Sequence, residues 1–287
     1  MGKIHMSRKQ KRQSNPKSVI DVVITTGGRF DMLQKCLDAL YLEAEKTPLS
    51  IYIIDNASPA EERIANGDLF FIREDSRNIV EFKSKRLQQN TGFPASNNEG
   101  ARLGSAPLIM FLNDDVELQE GAVQKIVDTF NDTSIGVVGI KLLFPPSSTS
   151  TIRPAGKVQH VGMALNIRGE PIHPLAAWSP DNPKTKISRD VLCVTGACLT
   201  IRRSLFNRVN GFSVEYGAGT FEDVDICFKS RQQGQRVWVN CDAIGYHYVG
   251  ATQEKKRIGY PLQQNRMIFQ TKWGESGLMA WTEADFY

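Results

Sequence analysis

The sequence lacks any long uncharged apolar segment. Its 287 residues contain no stretch of about 18 apolar residues without a charge, so we expect no transmembrane helix. The basic N-terminal stretch has no apolar core after it, and we therefore expect no signal peptide. A composition of 41% hydrophobic and 23% charged residues is typical of an ordinary soluble globular protein. The length fits one large α/β domain or two small ones.

Cysteine is also scarce. The five cysteines cannot all pair, and most of them lie inside apolar segments. Cys193 and Cys198 are too far apart for a zinc knuckle, and no Cys or His pair follows them closely. We interpret the cysteines as small buried hydrophobic side chains in a reducing compartment, and we expect a cytoplasmic protein. They are Cys36, Cys193, Cys198, Cys227 and Cys241.

Acidic residues are missing from residues 1–17, which hold six of the 35 basic residues. The remaining 29 basic residues are fewer than the 31 acidic ones, so the rest of the chain carries a net charge of about −2. Such a tail can contact nucleic acid or anionic lipid at the inner membrane face. The interpretation that we favour is a disordered, solvated leader before a single domain at residues 18–287.

What the sequence does contain is an alternation of apolar patterns. Residues 19–25 are mostly apolar and end before Gly27-Gly28, which predicts a buried first strand. Residues 33–41 place apolar side chains at helical spacing. Residues 51–54 predict a second buried strand that ends at Asp55. The order strand, helix, strand is typical of a parallel sheet with right-handed crossovers.

The same alternation continues along the chain. We expect strands at 79–82, 108–112, 135–144 and 191–201, with glycine interrupting the third of these. We expect helices from about 92 to 103 and around 123–130. Residues 145–190 are rich in Pro, Gly and His, which predicts a hairpin and long loops over a site.

Two acidic clusters each follow an apolar or glycine-rich segment. Asn113-Asp114-Asp115 follows residues 108–112, and Glu222-Asp223-Val224-Asp225 follows residues 217–221. Adjacent carboxylates repel one another, so a fold that keeps them at a strand end commonly uses them to bind a divalent cation or to accept a proton. Ligands of open parallel sheets bind at the carboxyl ends of the strands, where Thr25, Asp55, and Asp114 with Asp115 are expected.

An ordered set of motifs resembles glycosyltransferase family 2, which has the Rossmann-like, type-A glycosyltransferase fold. The resemblance spans roughly residues 19–273. It implies an α/β fold with a mostly parallel central sheet flanked by helices, a nucleotide-binding half at 18–118 and an irregular acceptor-binding half at 119–287. The motifs are Ile53-Ile54-Asp55-Asn56-Ala57-Ser58, the segment from Asn90-Thr91-Gly92-Phe93 to Asn98-Glu99-Gly100, Leu112-Asn113-Asp114-Asp115, Thr195-Gly196-Ala197 and Phe221-Glu222-Asp223-Val224-Asp225.

The resemblance also implies which residues face the donor. Mg²⁺ or Mn²⁺ is the expected cofactor, because a divalent cation neutralises the diphosphate that leaves. Asp115 would ligate this cation, His247 would add a metal or phosphate contact, and Asp114 would face the ribose. Asp55 would accept the imide N–H of uracil or thymine. The other implied donor contacts are Thr25, Arg29, Asn90, Gly92 and Asn98.

Asp223 is the expected general base, and Glu222 could exchange roles with it. An inverting transfer needs a carboxylate that takes the proton as the acceptor oxygen attacks the anomeric carbon. Each of these roles has a structural alternative. Asp55 could cap a turn, the acidic clusters could cap helices, and His247 could be structural.

The resemblance implies a metal-dependent inverting glycosyltransferase. Its donor would be a UDP- or dTDP-sugar, and its acceptor a hydroxyl of a glycan or glycolipid in surface polysaccharide synthesis. A nucleotide-sugar nucleotidyltransferase is an alternative, although Gly27-Gly28-Arg29 is short for the glycine-rich loop of such enzymes. A nucleic-acid-binding or nucleic-acid-modifying protein that uses its basic tail is another. Lys255, Lys256 and Arg257 are either diphosphate ligands or a solvated charge cluster.

Overall fold

A computed structural model describes residues 17–59, 78–249 and 261–280 of the protein. In these ranges the chain forms an α/β fold with a large mixed sheet and helices on its faces. The strands are β1 (Ile20–Thr26), β2 (Leu49–Asp55), β3 (Ile79–Arg86), β4 (Leu108–Asn113), β5 (Val116–Leu118), β6 (Ile135–Leu143), β7 (Val158–His160), β8 (Ala164–Leu165), β9 (Pro171–Ile172), β10 (Arg189–Asp190), β11 (Cys198–Arg202) and β12 (Arg236–His247). The helices are α1 (Phe30–Ala44), α2 (Gly92–Ala101), α3 (Ala122–Thr129), α4 (Arg203–Arg208), α5 (Glu222–Gln232) and α6 (Leu262–Trp273).

The sheet has the strand order β10-β12-β6-β11-β4-β1-β2-β3. β1 is parallel to both β2 and β4, so their carboxyl ends reach the same edge. At that edge Thr26 pairs with Asp55, and Thr25 pairs with Asn113. β11 lies antiparallel between β4 and β6, which brings the start of β11 to this edge as well. The predicted meeting of strand ends is confirmed.

The first strand–helix–strand unit forms as its apolar pattern predicts. α1 buries Leu33, Leu37 and Leu40 on one stripe, the face that packs on the sheet. All seven residues of β2 are buried, because both faces of the sheet are covered. Alternate residues of β1 enter the two apolar layers, Val23 on one face and its neighbours on the other.

A long-range contact joins α1 to α3. The Glu43 carboxylate is buried and accepts hydrogen bonds from the backbone N–H groups of Gly121, at 2.6 Å, and Val123, at 2.7 Å. These groups belong to the first turn of α3, where free N–H groups and the helix dipole favour a negative charge. The contact fixes the chain segment that follows Asp115.

Several predicted strands differ in extent from the structure. β3 continues to Arg86, beyond the predicted end at 82. β6 is continuous, and its Gly136 and Gly139 leave room for the side chains of Leu205 and Val194. The prediction of a strand at 191–201 was wrong for its first part. Residues 191–194 are buried but irregular, and the strand begins at Cys198.

The second half of the chain is more irregular, as predicted. Residues 145–190 contain β7, the antiparallel pair β8–β9 and β10, joined by long loops. The five cysteines are buried and free. None of the described helices is both long and apolar enough to cross a membrane. Residues 1–16 of the basic leader, and Lys255, Lys256 and Arg257, lie outside the described residues.

Candidate active site

Asp114 and Asp115 lie in the turn between β4 and β5, at the shared edge of the sheet. β12 pairs with β5 so that His247 is opposite Val116, beside these acids. The Asp115 Oδ1 and His247 Nε2 atoms are 3.1 Å apart, and both side chains are largely buried. Asp115 and His247 lie far apart in the sequence, and the pairing of β5 with β12 brings their side chains into contact.

Asp115 and His247 together fit a divalent cation. The Nδ1 atom of His247 lies 3.1 Å from the Gln159 amide oxygen, an acceptor, so Nδ1 carries a proton and the neutral ring would present the Nε2 lone pair to a cation. Asp115 Oδ1 is buried and makes no hydrogen bond of good geometry within the described residues. Adjacent ligands of an octahedral cation with bonds of about 2.1 Å are separated by about 3.0 Å, close to the observed distance.

The protein supplies few ligands at this position. No group of three or more His, Cys, Asp or Glu side chains that could hold a metal occurs in residues 17–59, 78–249 and 261–280. A cation between Asp115 and His247 would therefore complete its shell with oxygen atoms of water or of a bound diphosphate. Mg²⁺ sites with nucleotide ligands are commonly built in this way.

The two neighbouring carboxyl groups differ in their protonation. Burial and the charge of Asp115 raise the pKa of Asp114 to about 7, against the opposing effect of the Thr26 hydroxyl. Burial would also raise the pKa of Asp115, but the charge and hydrogen bond of a protonated His247, with the charge of Arg29, outweigh burial and lower it. A bound cation would take the place of that proton between Asp115 and His247. Asp115 is therefore the acid that stays ionised, as a metal ligand must.

Thr25 and Arg29 lie close to the acids and have unused polar atoms. Thr25 Oγ1 and Arg29 Nε are both buried without a hydrogen-bond partner among the described residues. Thr25 pairs with Asn113 at the end of β1, and Arg29 directly precedes α1. Buried polar groups are normally paired, so both atoms are available to a ligand at this edge.

Asp55 has the geometry of a turn cap. Its Oδ1 accepts hydrogen bonds from the Ser58 backbone N–H, at 2.8 Å, and hydroxyl, at 2.5 Å. Its Oδ2 pairs with Arg86, and the residue is 1% exposed. The structural alternative for Asp55 is thus present, and a contact with the nucleobase stays a prediction.

Asn90, Gly92 and Asn98 make contacts within the protein, and their donor contacts stay predictions. Asn90 Oδ1 accepts hydrogen bonds from the Asn56 side chain and the Gly92 N–H. Gly92 has a φ of +80°, and a Cβ there would lie 1.9 Å from the Gly217 carbonyl oxygen. The Asn98 amide donates to the Phe212 carbonyl and accepts from the Phe212 N–H. These residues build the frame of the site.

The second acidic cluster begins α5. Asp223 accepts hydrogen bonds from the N–H groups of Gly196 and Val224, both at 2.9 Å. The two residues before the acids, Thr220 and Phe221, have φ of 77° and 70°. Such left-handed conformations are costly for residues with a Cβ and cluster at functional sites.

Glu222 and Asp223 have separate protonation behaviour. Burial, followed by the charge of Asp223, raises the pKa of Glu222 well above its usual value. Burial also raises the pKa of Asp223, but the N–H groups of Gly196 and Val224 oppose this rise. The surroundings therefore favour the protonated form of Glu222 more strongly than that of Asp223, whose two backbone hydrogen bonds favour the carboxylate that can accept a proton.

Asp225 is a structural residue. It is 0% exposed and accepts hydrogen bonds from the Ser213 and Tyr216 hydroxyls and the Trp273 indole, and it pairs with Lys229. The third acid of the cluster therefore ties α5 to α6 and lies outside the reacting groups.

Two connections link the acidic clusters. The Asn113 N–H donates to the Ala197 carbonyl at 2.9 Å, and the preceding residue, Gly196, donates to Asp223. β7 forms the second connection, since Gln159 contacts His247 and its neighbour His160 contacts His173 at 3.0 Å. Both clusters therefore lie at one edge of the sheet.

Two cavities open at this edge. One of about 380 Å³ contains Arg29, His247 and the serine-rich loop 147–150. The other, of about 620 Å³, contains Asp223, Glu170 and Arg266. Sequence reasoning missed Gln159, Glu170 and Arg266, because no sequence motif marks them: Gln159 lies on β7, Glu170 directly precedes β9 and Arg266 lies on α6.

Comparison with known proteins finds a matching family model and related chains. A sequence model of the family described as "Glycosyl transferase family 2" matches residues 21–209. The chain is 26% identical over 252 residues to "O-antigen biosynthesis protein RfbC" of Myxococcus xanthus. It is 23% identical over 241 residues to "Uncharacterized protein y4gI" of Sinorhizobium fredii. The matches cover 83% and 82% of this chain but only 18% and 25% of the relatives' lengths.

Solved glycosyltransferase structures share the fold. GalNAc-T7 with UDP, GalNAc and Mn²⁺ has a TM-score of 0.65 at 16% identity, over 80% of this chain and 43% of that one. A mannosyltransferase of Pyrobaculum calidifontis with GDP-Man and Mn²⁺ has a TM-score of 0.55 at 14% identity, over 94% and 74%. The predicted Rossmann-like, type-A fold is confirmed.

Proposed function

Since the chain belongs to glycosyl transferase family 2 and is a glycosyltransferase, we propose that it acts with a divalent cation and inverts the anomeric carbon. One observation carries this proposal. Asp115 Oδ1 and His247 Nε2 face one another at 3.1 Å on the sheet edge that also holds Asp223. A cation-binding pair and a carboxylate with an available lone pair are the two components that such a transfer needs.

Asp115 and His247 would hold the cation at the donor diphosphate. When bound, Mg²⁺ or Mn²⁺ supplies positive charge that stabilises the departing nucleoside diphosphate. Arg29 and Thr25, each with a buried polar atom free within the described chain, would contact the donor beside it. Asp114 lies in the same turn and would face the ribose.

Asp223 would act as the general base. It would accept the proton of the acceptor hydroxyl as that oxygen attacks the anomeric carbon on the face opposite the diphosphate. The hydrogen bonds from Gly196 and Val224 hold the carboxylate in place and stabilise its charge. The raised pKa of Glu222 disfavours a second negative charge beside this carboxylate.

The donor and acceptor classes follow from the resemblances. A UDP- or dTDP-sugar is the proposed donor, and structures with the same fold bind UDP or UDP-GlcNAc. The acceptor would be a glycan or glycolipid hydroxyl in surface polysaccharide synthesis, in line with a relative named for O-antigen biosynthesis.

Thermal unfolding with nucleotides tests the proposal. UDP or dTDP with Mn²⁺ should raise the unfolding midpoint, since a ligand at 100 times its Kd adds about 2.7 kcal/mol of stability. Asp115→Ala should remove most of the metal-dependent part. The control Asp181→Ala, which changes an exposed carboxylate paired with Lys186, should leave the shift unchanged. A wild-type midpoint that no nucleoside diphosphate moves would contradict the proposal.

An assay of the products separates this function from nucleotidyl transfer. The proposed enzyme releases a nucleoside diphosphate from a nucleotide sugar, whereas a nucleotidyltransferase consumes pyrophosphate. Deletion of residues 1–17 addresses the basic tail, and we expect donor turnover to persist without it.

A further inference from the structure

The cavity of about 620 Å³ beside Asp223 lies between the β8–β9 hairpin and the start of α6. Its size falls within the range of about 300–1,000 Å³ that is typical of small-molecule sites. It is distinct from the cavity that contains His247. Its walls include Phe221, Asp223, Glu170, His173, Leu262 and Arg266.

An ion pair forms one wall of this cavity. Arg266 Nη1 lies 2.7 Å from Glu170 Oε1, and the Asn166 amide donates to Glu170 Oε2 at 2.9 Å. The pair is only partly buried, with the side chains 30% and 37% exposed. Arg266 Nε is buried without a hydrogen-bond partner in the described chain. The wall therefore presents both donors and acceptors in a fixed arrangement.

His173 adds a donor to the same cavity. His160 Nε2 accepts a hydrogen bond from the Gly162 N–H at 3.3 Å, so the proton of His160 is on Nδ1. That proton points to His173 Nδ1, 3.0 Å away, which must then accept it. The proton of neutral His173 is consequently on Nε2, where it can donate to a ligand oxygen.

The charge and apolar surface of the cavity favour a neutral ligand. Asp223 and Glu170 together outweigh the single positive charge of Arg266, so a carboxylate or phosphate on the ligand would be repelled. Met163 and Pro171 provide apolar surface for the C–H face of a sugar ring. A ring with several hydroxyl groups would match the paired guanidinium and carboxylate.

We propose that this cavity is the acceptor subsite, that it takes an uncharged glycosyl unit, and that Glu170 and Arg266 determine this specificity. The inference rests on the proposed function, because Asp223 can act as base only on a hydroxyl within its reach. Glu170 and Arg266 would hold the acceptor sugar by its hydroxyl groups, and His173 would donate to one of its oxygens.

Saturation-transfer NMR tests the binding directly. The full chain with UDP and Mn²⁺ is mixed with neutral methyl glycosides of common hexoses and with the matching methyl uronosides. We expect transfer to neutral glycosides and weaker transfer to uronosides. Glu170→Gln and Arg266→Gln should weaken glycoside binding about tenfold, the cost of losing one hydrogen bond to a charged group. Glu120→Gln, in an exposed ion pair with Lys46, is the matched control.

Kinetics give a second readout. Once a donor is identified, both variants should raise the acceptor KM about tenfold, whereas the control Glu120→Gln should keep the wild-type acceptor KM and donor hydrolysis. Arg266→Lys, which keeps the charge beside Glu170, replaces Arg266→Gln if that variant unfolds, and should show a smaller rise in KM.

The outcomes separate the two proposals. A wild-type protein that neither binds nor hydrolyses any nucleotide sugar refutes the proposed function. Three other outcomes refute only the acceptor subsite. They are wild-type acceptor affinity in variants whose donor hydrolysis is intact, tighter binding of uronosides than of neutral glycosides, and no glycoside signal from a protein that binds UDP.

Discussion

At the residue scale, the two acids that begin α5 have different surroundings, which shift their pKa values to different extents. Glu222 has a buried carboxyl oxygen without a hydrogen-bond partner in the described residues, and its pKa is raised far above the usual value. Asp223 accepts two backbone hydrogen bonds that favour its charged form. Burial raises the pKa of Asp223 as well, but these hydrogen bonds oppose the rise, so the charged form is favoured more at Asp223 than at Glu222.

Replacing the base should abolish transfer while sparing nucleotide binding. Asp223→Asn is expected to lower kcat by about 10²–10⁴-fold, the usual contribution of a general base. The thermal shift with UDP and Mn²⁺ should remain. Glu222→Gln is the matched variant, and it should have a small effect because burial favours the neutral carboxyl group of Glu222, which the glutamine amide resembles.

The pH dependence of the transfer rate also tests the role of Asp223 as base. A base must be ionised, so wild-type kcat/KM should fall as pH decreases through the raised pKa of Asp223, and should level off above it. The profile is measured as steady-state rates from about pH 5 to about pH 9, which covers about two pH units on each side of neutrality. An Asp223→Asn enzyme within about threefold of wild type, or an equal loss in Glu222→Gln, would contradict the assignment.

At the scale of elements, α6 holds the strained segment before the base. The buried Asn265 amide donates to the carbonyls of Tyr216, at 3.0 Å, and Gly219, at 2.8 Å, and lies 3.1 Å from the Thr220 carbonyl. Thr220 and Phe221 keep their left-handed conformations because surrounding contacts fix them. α6 therefore positions Asp223 without touching it.

Removing this support should reduce both stability and rate. Asn265→Ala leaves buried carbonyls unpaired, which we expect to cost about 1–3 kcal/mol of unfolding free energy in urea titrations. Transfer should slow while UDP binding stays close to wild type. Gln264→Ala changes the exposed neighbour on the same helix and serves as the control. Equal urea midpoints for Asn265→Ala and wild type would show that α6 does not hold this segment.

At the scale of the whole molecule, local patterns predicted the sheet but not the contacts across it. Apolar spacing was sufficient for β1, α1 and β2, because each depends on neighbouring residues. The hydrogen bond from Gly121 to Glu43 joins residues 78 positions apart in the sequence, and the ion pair of Arg266 with Glu170 joins residues 96 positions apart. No local sequence pattern encodes contacts over such separations.

The candidate site was likewise predictable from the sequence only in part. Asp114 and Asp115 follow β4, so their position at the carboxyl edge was predictable from topology. The expectation that Asp223 lies in the same cleft came from the family resemblance. Asn98 belongs to a motif by its sequence, yet its amide binds Phe212. Only the folded chain shows which way such a side chain points.

The most direct test of the central claim is a crystal structure with UDP and Mn²⁺, with the metal located by its anomalous scattering. We predict one Mn²⁺ peak within about 2.0–2.3 Å of both Asp115 Oδ1 and His247 Nε2, with Asp223 in the same cleft on the sugar side. A peak away from both side chains, or a diphosphate bound in a cleft that excludes Asp223, would contradict it.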